Sequence, residues 1–281
     1  MPRPYVGQLM RRPRWTPGPS AQIDWSHPLA QGLVACVLPG VGPGNLATGG
    51  TCGVTSNGNI TRKTSGYGAH AYGTWDNSNY LTVKEAPIVG NLANWTIAAG
   101  ITSTTGTTAS RSVYCERASS GNDILKLDTN PPSQASRFGF VYRDDGGSLT
   151  GTYDSNHVID DGYLHDLMIT RSGGSFAGYY DGGAGFSSAG YGGTTNFTDA
   201  GVSRRIGHDK TGFGFGTAGV SYIYVWANRT LVQANAAAIR ADPFQMVVEL
   251  SPTSFFFLGD TAATVTATRA PARALVLNRH G

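Results

Sequence analysis

The feature that most constrains the fold is a succession of short segments in which apolar and polar residues alternate. Three of them are "WTIAAGI" (95–101), "RFGFVYR" (137–143) and "GVSYIYVWAN" (219–228). An alternation with a period of two residues places successive side chains on opposite faces of a β-strand. Turn signals rich in Gly, Asn and Asp separate such segments at intervals of about ten residues. The sequence therefore predicts an all-β protein with about twelve short strands.

The alternation also assigns side chains to faces of the strands. One face of each strand is predicted to carry Trp95, Ile97, Ala99 and Ile101 in the first segment, and Phe138, Phe140 and Tyr142 in the second. In segment 219–228, Val220, Tyr222, Tyr224 and Trp226 are predicted to share one face, opposite Ile223 and Val225. Because both faces of this last strand are apolar, we expect a central strand that is covered on both sides. Residues 40–60 and 182–201 are predicted to be loops.

One helix is predicted, over residues 231–241. The stretch is rich in Ala, and Asp242-Pro243 ends it, since a proline disfavours helix at the residue before it. Thr230 is the predicted N-cap, with Gln233 at the third helical position completing a capping box.

Many short strands and one late helix predict a two-sheet antiparallel sandwich, an all-β jelly roll. We expect an extended, Pro/Arg-rich N-terminal arm over residues 1–22, a jelly-roll domain over 23–259, and a basic C-terminal arm over 260–281. A body of this length can bury most of its apolar surface without disulfides or metals.

The charge is concentrated at the two ends of the chain, although the net charge is only +3. Residues 1–22 and 261–281 contain no acid, and the predicted assembly contacts lie there: Arg3, Arg11, Arg12, Arg14 and Trp15 in one arm, and Arg269, Arg273 and Arg279 in the other. Basic arms on a mildly acidic body suggest docking on an acidic partner surface. Two solvated tails are the alternative interpretation.

Cysteine spacing and hydropathy exclude several classes of protein. Cys36, Cys52 and Cys115 form no paired motif, so the sequence predicts neither a disulfide framework nor a zinc site. The N-terminal residues lack the apolar region of a secretory signal, and no segment has the ~20 apolar residues of a membrane helix. We expect synthesis in a reducing cytoplasm and no membrane partner.

A second motif narrows the fold. The stretch "DDGYLHDLMITRSGGSFAGYYDGG" (160–183) contains an acidic turn, an aromatic residue, His165, an alternating run to Thr170-Arg171, a Gly-rich turn, and a Tyr-Tyr-Asp-Gly ending. It resembles the hairpin signature of laminin-G-like and concanavalin A-like jelly rolls. That family usually has Trp directly before the histidine, where this chain has Leu164. The resemblance covers about residues 23–258.

Two flanking motifs, "DWSHPLAQGLVACVLPG" (24–40) and Asp242-Pro243-Phe244, are similar to those of tailed-bacteriophage proteins with this fold. The resemblance implies a non-catalytic structural protein of the virion, either a capsid or neck decoration or a tail adhesion module. It also implies a lectin-like body that binds host surface glycans. The expected partners are other virion proteins and further copies of the chain. A free carbohydrate-binding module is the alternative function.

A glycoside hydrolase is the less favoured alternative, because it needs two carboxylates flanking the scissile bond. Glu occurs only at 85, 116 and 249, and none has an acidic neighbour on the same strand face. Nucleophile-elbow and nucleotide-binding motifs are missing, and nucleic-acid binding is not favoured because the arginines lack interleaved aromatic residues. His165 lies amid apolar alternation and is interpreted as a packed, hydrogen-bonded residue. We therefore predict no enzyme activity.

Candidate glycan contacts are Tyr153 and Tyr191, which lie in loop sequence, and Asp144 and Asp145, whose adjacency also suits a turn. The segments 74–80 and 143–147 offer oxygen ligands for Ca²⁺, the only cofactor that the sequence suggests.

Overall fold

The computed structural model describes the body of the chain and leaves the predicted arms almost entirely outside the described residues. The described residues are 17–18, 20–42, 44–48, 55–57, 60–65, 68–75, 79–83, 88–103, 112–117, 124–129, 137–143, 150–189, 202–208 and 216–249. All structural statements below concern these ranges.

Seventeen strands and one α-helix occur in the described part of the chain. In chain order they are β1 (Ala21–Ile23), β2 (Leu33–Val37), β3 (Thr55–Asn57), β4 (Thr61–Ser65), β5 (Gly68–Trp75), β6 (Tyr80–Thr82), β7 (Asn94–Ser103), β8 (Ser112–Arg117), β9 (Ile124–Asp128), β10 (Gly139–Arg143), β11 (Thr150–Tyr153), β12 (Leu164–Ser172), β13 (Ser175–Tyr180), β14 (Gly183–Ala189), β15 (Ser203–Ile206), β16 (Gly216–Ala227), α1 (Gln233–Ala241) and β17 (Val247–Glu249).

The strands form an all-β antiparallel sandwich, as the alternation predicts. A seven-stranded sheet has the order β11-β10-β9-β8-β15-β6-β3, and an eight-stranded sheet has the order β14-β13-β12-β7-β16-β5-β4, with β2 also pairing with β16. A small third sheet joins β1 to β17, so the two ends of the described body meet. The prediction of about twelve strands is too low, because strands formed within segments 40–60 and 182–201, which were predicted to be loops.

The main core lies between the two large sheets. Trp95 and Ile97, on the face of β7 that alternation predicts, belong to this core. The predicted face of the β10 region also belongs to it. Phe140 stacks on Phe176 of the opposite sheet with ring centroids 4.3 Å apart. These aromatic contacts confirm the predicted faces and hold the two sheets against each other.

The central strand β16 corrects one predicted face. Ile223 and Val225 enter the main core as predicted, but Val220 joins them there instead of sharing a face with Tyr222. The reason is a shift in the pairing of β16 with β7 between Val220 and Tyr222. An extra residue at such a bulge reverses the alternation beyond it, and alternation alone gives no sign of it.

A second apolar layer covers the outer face of the eight-stranded sheet. Tyr222, Tyr224 and Trp226 of β16 pack there against α1, β1, β17 and residues 28–30. The Trp226 indole donates a hydrogen bond to the carbonyl of Leu29 over 2.6 Å. The central strand is therefore covered on both sides, which confirms the prediction from its two apolar faces.

Helix α1 is confirmed, but its predicted cap is wrong. The helix begins at Gln233, and Asn235 supplies the cap, since its side chain accepts a hydrogen bond from the backbone of Val232. Thr230 instead donates to the carbonyl of Arg171. The Thr230 hydroxyl bonds the neighbouring strand because packing against the sheet fixes how the chain enters the helix. The N-cap position is therefore Val232, two residues after the predicted Thr230.

The hairpin that carries the family resemblance is β12–β13, closed by Gly173 and Gly174. Arg171, the last charged residue of its alternating run, is fully buried. Its guanidinium donates to the hydroxyl of Tyr142 over 2.6 Å and lies 5.1 Å from that ring's centroid. Arg171 therefore ties the hairpin to the opposite sheet, a role that the sequence did not reveal.

Candidate functional site

A connection of ten residues between β11 and β12 forms the most distinctive surface of the body. Two backbone hydrogen bonds hold this segment, residues 154–163, at its ends. The amide of Asp154 donates to the carbonyl of Phe138 over 2.7 Å, and that of Gly162 donates to Ser103 over 2.8 Å. Because both ends are tied to neighbouring strands, the segment is a fixed loop on a rigid scaffold.

Asp154 organises the first half of the connection. Its carboxylate is fully buried and accepts from the backbone of Asn156 over 2.8 Å, and it lies 2.6 Å from the Nδ1 atom of His157. The imidazole of His157 in turn stacks on Tyr180, with centroids 4.3 Å apart and planes only 14° from parallel. Asp154 thus fixes a flat aromatic pair at the surface.

His165 lies beneath this pair, between two carboxylates. Its Nε2 atom is 2.8 Å from Asp161, and its Nδ1 atom is 3.1 Å from Asp181 and 2.6 Å from the Tyr180 hydroxyl. Both ring nitrogens face acceptors, which only the protonated imidazolium satisfies as a double donor. Burial lowers the pKa of His165, but Asp181 and Asp161 raise it more, so the pKa lies above its ordinary value.

This geometry supports the interpretation of His165 as a packed residue. The side chain is 3% exposed, and every polar atom of the ring has a partner. A general base needs a free lone pair and access to a substrate proton, and His165 has neither.

Arg240 of α1 joins the helix to the same network. Its guanidinium contacts Asp166, lies 2.9 Å from Asp181, and donates to the carbonyl of Leu164 over 3.0 Å. Asp166 also accepts from the Tyr222 hydroxyl over 2.7 Å. Burial lowers the pKa of Arg240, but Asp166 and then Asp181 raise it more, so the guanidinium stays charged. The ion pairs clamp the helix against the start of β12.

The outer surface of this network presents aromatic rings to solvent. Tyr163 is 50% exposed, Tyr153 is 36% exposed, and the His157 side chain is 35% exposed. Single exposed aromatic residues are ordinary, but here three follow one another closely in sequence, Tyr153 as the last residue of β11 and His157 and Tyr163 in the anchored connection after it. We call the exposed faces of Tyr153, His157 and Tyr163 the rim site. It combines flat apolar rings with hydrogen-bonding edges.

The carboxylates near the rim site are committed to the protein. Asp161 accepts from the backbone of Tyr163 over 2.9 Å as well as bonding His165, and Asp166 and Asp181 share Arg240. Asp160 differs: both its oxygens are shielded from solvent and have no hydrogen-bond partner in the part of the chain that the structure describes. Among the described residues, the rim site therefore brings no pair of solvent-accessible, unengaged carboxylates together.

Of the predicted glycan contacts, only Tyr153 falls within the described residues, and it lies in the rim site. Tyr191, Asp144 and Asp145 lie outside them, as do the arm residues Arg3, Arg11, Arg12, Arg14, Trp15, Arg269, Arg273 and Arg279. Most of the two candidate calcium segments also lies outside. The described residues contain no cluster of three or more His, Cys, Asp and Glu side chains suited to a metal ion.

His157, Tyr163 and Tyr180 were not predicted as site residues. Tyr163 and Tyr180 lie in the hairpin motif itself, where they were used only to recognise the fold. The available signal was the density of Tyr and His residues between 153 and 165. Exposure could not be deduced, because the connection has no periodicity that would separate an inner from an outer face.

Glu116, one of the three glutamates considered for hydrolysis, proves to be structural. It is fully buried and accepts from the backbones of Val89 and Gly90 over 3.1 and 2.9 Å, and from the Tyr114 hydroxyl over 3.0 Å. Burial raises its pKa, and these three donors lower it in part. Glu116 anchors the segment that enters β7 and has no contact with solvent.

The two described cysteines, Cys36 and Cys115, are buried, and neither forms a disulfide with another described residue. Within the described ranges, no helix has the length and apolar character needed to cross a membrane.

Solved structures with the same fold are numerous and distant in sequence, whereas no family model and no curated protein matches the chain. The binding domain of Paraclostridial Mosquitocidal Protein 1 superposes with a TM-score of 0.59 at 10% identity, over 75% of this chain and 52% of that chain. The present chain thus spans about half the length of that binding domain.

Two smaller neighbours match along their whole length. Domain 4 of AbnA, a GH43 extracellular arabinanase from Geobacillus stearothermophilus, in complex with arabinotriose, has a TM-score of 0.56 at 16% identity, over 74% of this chain and 98% of that chain. The CBM40 of the Ruminococcus gnavus IT-sialidase, bound to α2,3 sialyllactose, has a TM-score of 0.50 at 12% identity, over 65% and 100% of the two chains. These likenesses establish the β-sandwich fold.

Proposed function

We propose that this chain is a non-catalytic carbohydrate-binding protein that contacts glycan through the rim site. The observation that carries the proposal is the set of three exposed rings, Tyr153 at the end of β11 and His157 and Tyr163 on the anchored connection that follows it. A sugar ring has an apolar face and a hydroxyl edge. Flat aromatic side chains with polar tips complement both, and a rigid loop lowers the entropy lost on binding.

The structural neighbours support the same class of function. The arabinanase domain and the CBM40 are sandwiches of this fold solved with an oligosaccharide bound. Fold likeness at such low identity is an analogy and does not transfer a binding site. The proposed location therefore rests on the rim site of this chain alone.

The state of the carboxylates among the described residues supports binding without catalysis. Glycoside hydrolysis requires one carboxyl group as acid and another as nucleophile or base, both in contact with the sugar. Asp161, Asp166 and Asp181 are held by His165 and Arg240, and Glu116 is buried away from solvent.

A glycan array with purified protein tests the proposal. We expect wild-type protein to bind a defined set of glycans, and Tyr163→Ala and His157→Ala to weaken that binding at least about tenfold, the equivalent of roughly 1.4 kcal/mol. Trp25→Ala is the matched control, because Trp25 is a 49% exposed aromatic residue outside the rim site. Equal loss in all three variants, or no bound glycan, would refute the proposal.

We further propose that the protein is a structural component of a tailed-phage virion, joined to neighbouring subunits by its basic arms. The arginines of residues 1–22 and 261–281, without any acid, favour this role over that of a free carbohydrate-binding module. Deleting residues 1–22 should abolish incorporation into particles and leave glycan binding of the body intact. Undiminished incorporation would contradict the role of the arm.

A further inference from the structure

A groove runs along the outer face of the eight-stranded sheet, away from the rim site. Its floor consists of the outward-facing residues at the ends of β12, β13 and β14, and its wall is the segment that enters α1. Its volume is about 450 Å³, within the range of ligand-binding clefts. A second hollow of about 480 Å³ continues it past Tyr179 toward Gly185.

The groove is open at its floor because the side chains there are small. Ser172 pairs with Ser175 across the hairpin, and Ala177 faces Ser187 on β14. Along the same face of the sheet, the central strands carry large aromatic residues that α1 covers. The change from large to small side chains leaves an open trough at the sheet edge, bounded by Tyr179 and the helix.

The hydroxyls of the groove are of two kinds. Thr170 and Thr230 are engaged with backbone carbonyls, since Thr230 donates to Arg171 and Thr170 donates to Trp95. Ser172, Ser175 and Ser187 are exposed on the same face of the sheet. Three solvent-exposed hydroxyls on one face of the sheet can both donate and accept hydrogen bonds.

The groove carries no formal charge. None of the residues lining either hollow is Asp, Glu, Lys, Arg or His. Its apolar contacts are Ala177, the 54% exposed side chain of Val232, and the ring of Tyr179. Partial burial raises the pKa of Tyr179, so its phenol is a neutral hydrogen-bonding group.

From this chemistry we infer that the groove is a second binding site, specific for a neutral saccharide unit. Exposed serine hydroxyls match the hydroxyl edge of a sugar, and Tyr179 and Val232 match its apolar face. An acidic sugar would lose the hydration of its charge and find no cation there, so the groove discriminates against it. This site is independent of the rim site, and neither requires the other.

The experiment uses the full chain and three neutral disaccharides, lactose, maltose and cellobiose, with digalacturonic acid, which carries a carboxylate on each ring, as the acidic probe. Saturation-transfer NMR and calorimetry should detect at least one neutral disaccharide. Ala177→Trp, which fills the trough at the surface, and the double change Ser175→Ala with Ser187→Ala should each weaken that binding at least tenfold. Ser20→Ala, an exposed serine outside the groove, should not.

Rim and groove variants separate the two sites. Tyr163→Ala should leave the disaccharide signal unchanged, whereas the groove variants should leave the rim-dependent signal of the array unchanged. The inference is overturned if no neutral disaccharide binds, if Ala177→Trp leaves binding intact, or if the acidic probe binds the groove equally well. Protection of β14 by an added peptide strand, with no sugar bound, would also overturn it.

Discussion

Replacing Arg240 by Met tests whether the ion-pair network holds α1 to the sandwich. Met keeps much of the apolar stem of Arg240 and removes the guanidinium that contacts Asp166 and Asp181. The Asp166 side chain is 4% exposed and that of Asp181 is 20% exposed, so the substitution leaves two poorly solvated carboxylates. We expect a large loss of stability that comes from these orphaned charges.

The structure sets the size of that loss. Removing one partner of a buried ion pair destabilises a protein by roughly 3–5 kcal/mol. Here the lower end applies, because Asp166 keeps its bond from Tyr222 and Asp181 keeps its contact with His165. A loss of about 3 kcal/mol in the free energy of unfolding corresponds to a fall in Tm of about 6–12 °C for a domain of this size.

Urea unfolding followed by tryptophan fluorescence at pH 7 measures the change, with Asp166→Asn and the double variant completing a thermodynamic cycle. In the Arg240→Met background, Asp166→Asn should raise the free energy of unfolding by at least about 1 kcal/mol. Arg229→Met is the matched control, because Arg229 donates only to the carbonyls of Pro28 and Gln31. A loss below about 1 kcal/mol, or strict additivity with Asp166→Asn, would refute the reasoning.

Two further predictions concern the same body. The pKa of His165 is raised on folding above its ordinary value of 6.5, so its contribution to stability is complete below that pH and is lost as pH rises through the folded-state pKa. His165→Asn should flatten the fall in urea midpoint as the pH rises above 6.5, and an unchanged slope of urea midpoint against pH would contradict this. Gly207→Ala should cost about 1–3 kcal/mol more than Gly173→Ala. Both glycines have positive φ, but only at Gly207 would the new Cβ clash with Trp75. Equal losses in urea melts would show that crowding is unimportant there.

Much of the fold could be predicted because alternation and turn chemistry are local. The main-core faces of β7 and β10, the single helix and the hairpin at 164–180 all follow from patterns within ten residues. Strand β14 could not be predicted, because its small residues have no intrinsic strand preference and pair only because β13 lies beside them. The bulge before Tyr222 could not be predicted either, because it depends on how β16 pairs with β7.

The residues of the two candidate sites were harder to predict from the sequence than the strands were. Tyr153 could be named from loop sequence, but its neighbours His157 and Tyr163 could not be called exposed before the connection was seen folded over Tyr180. The groove is wholly a product of pairing, since Ser187 lies beside Ala177, on the same face as Ser175, only when β14 joins the sheet.

By itself, the sequence determined that the chain forms an antiparallel sandwich with one helix, because period-two patterning fixes which side chains are buried along each strand. Only the tertiary structure decided that Arg171, Glu116 and His165 are internal anchors, and that a patch of rings and an uncharged trough remain open to solvent. The physical reason is that burial of a polar side chain depends on partners distant in sequence. Glu116 and Val89, or Arg240 and Asp166, meet only when the sheets and the helix have packed.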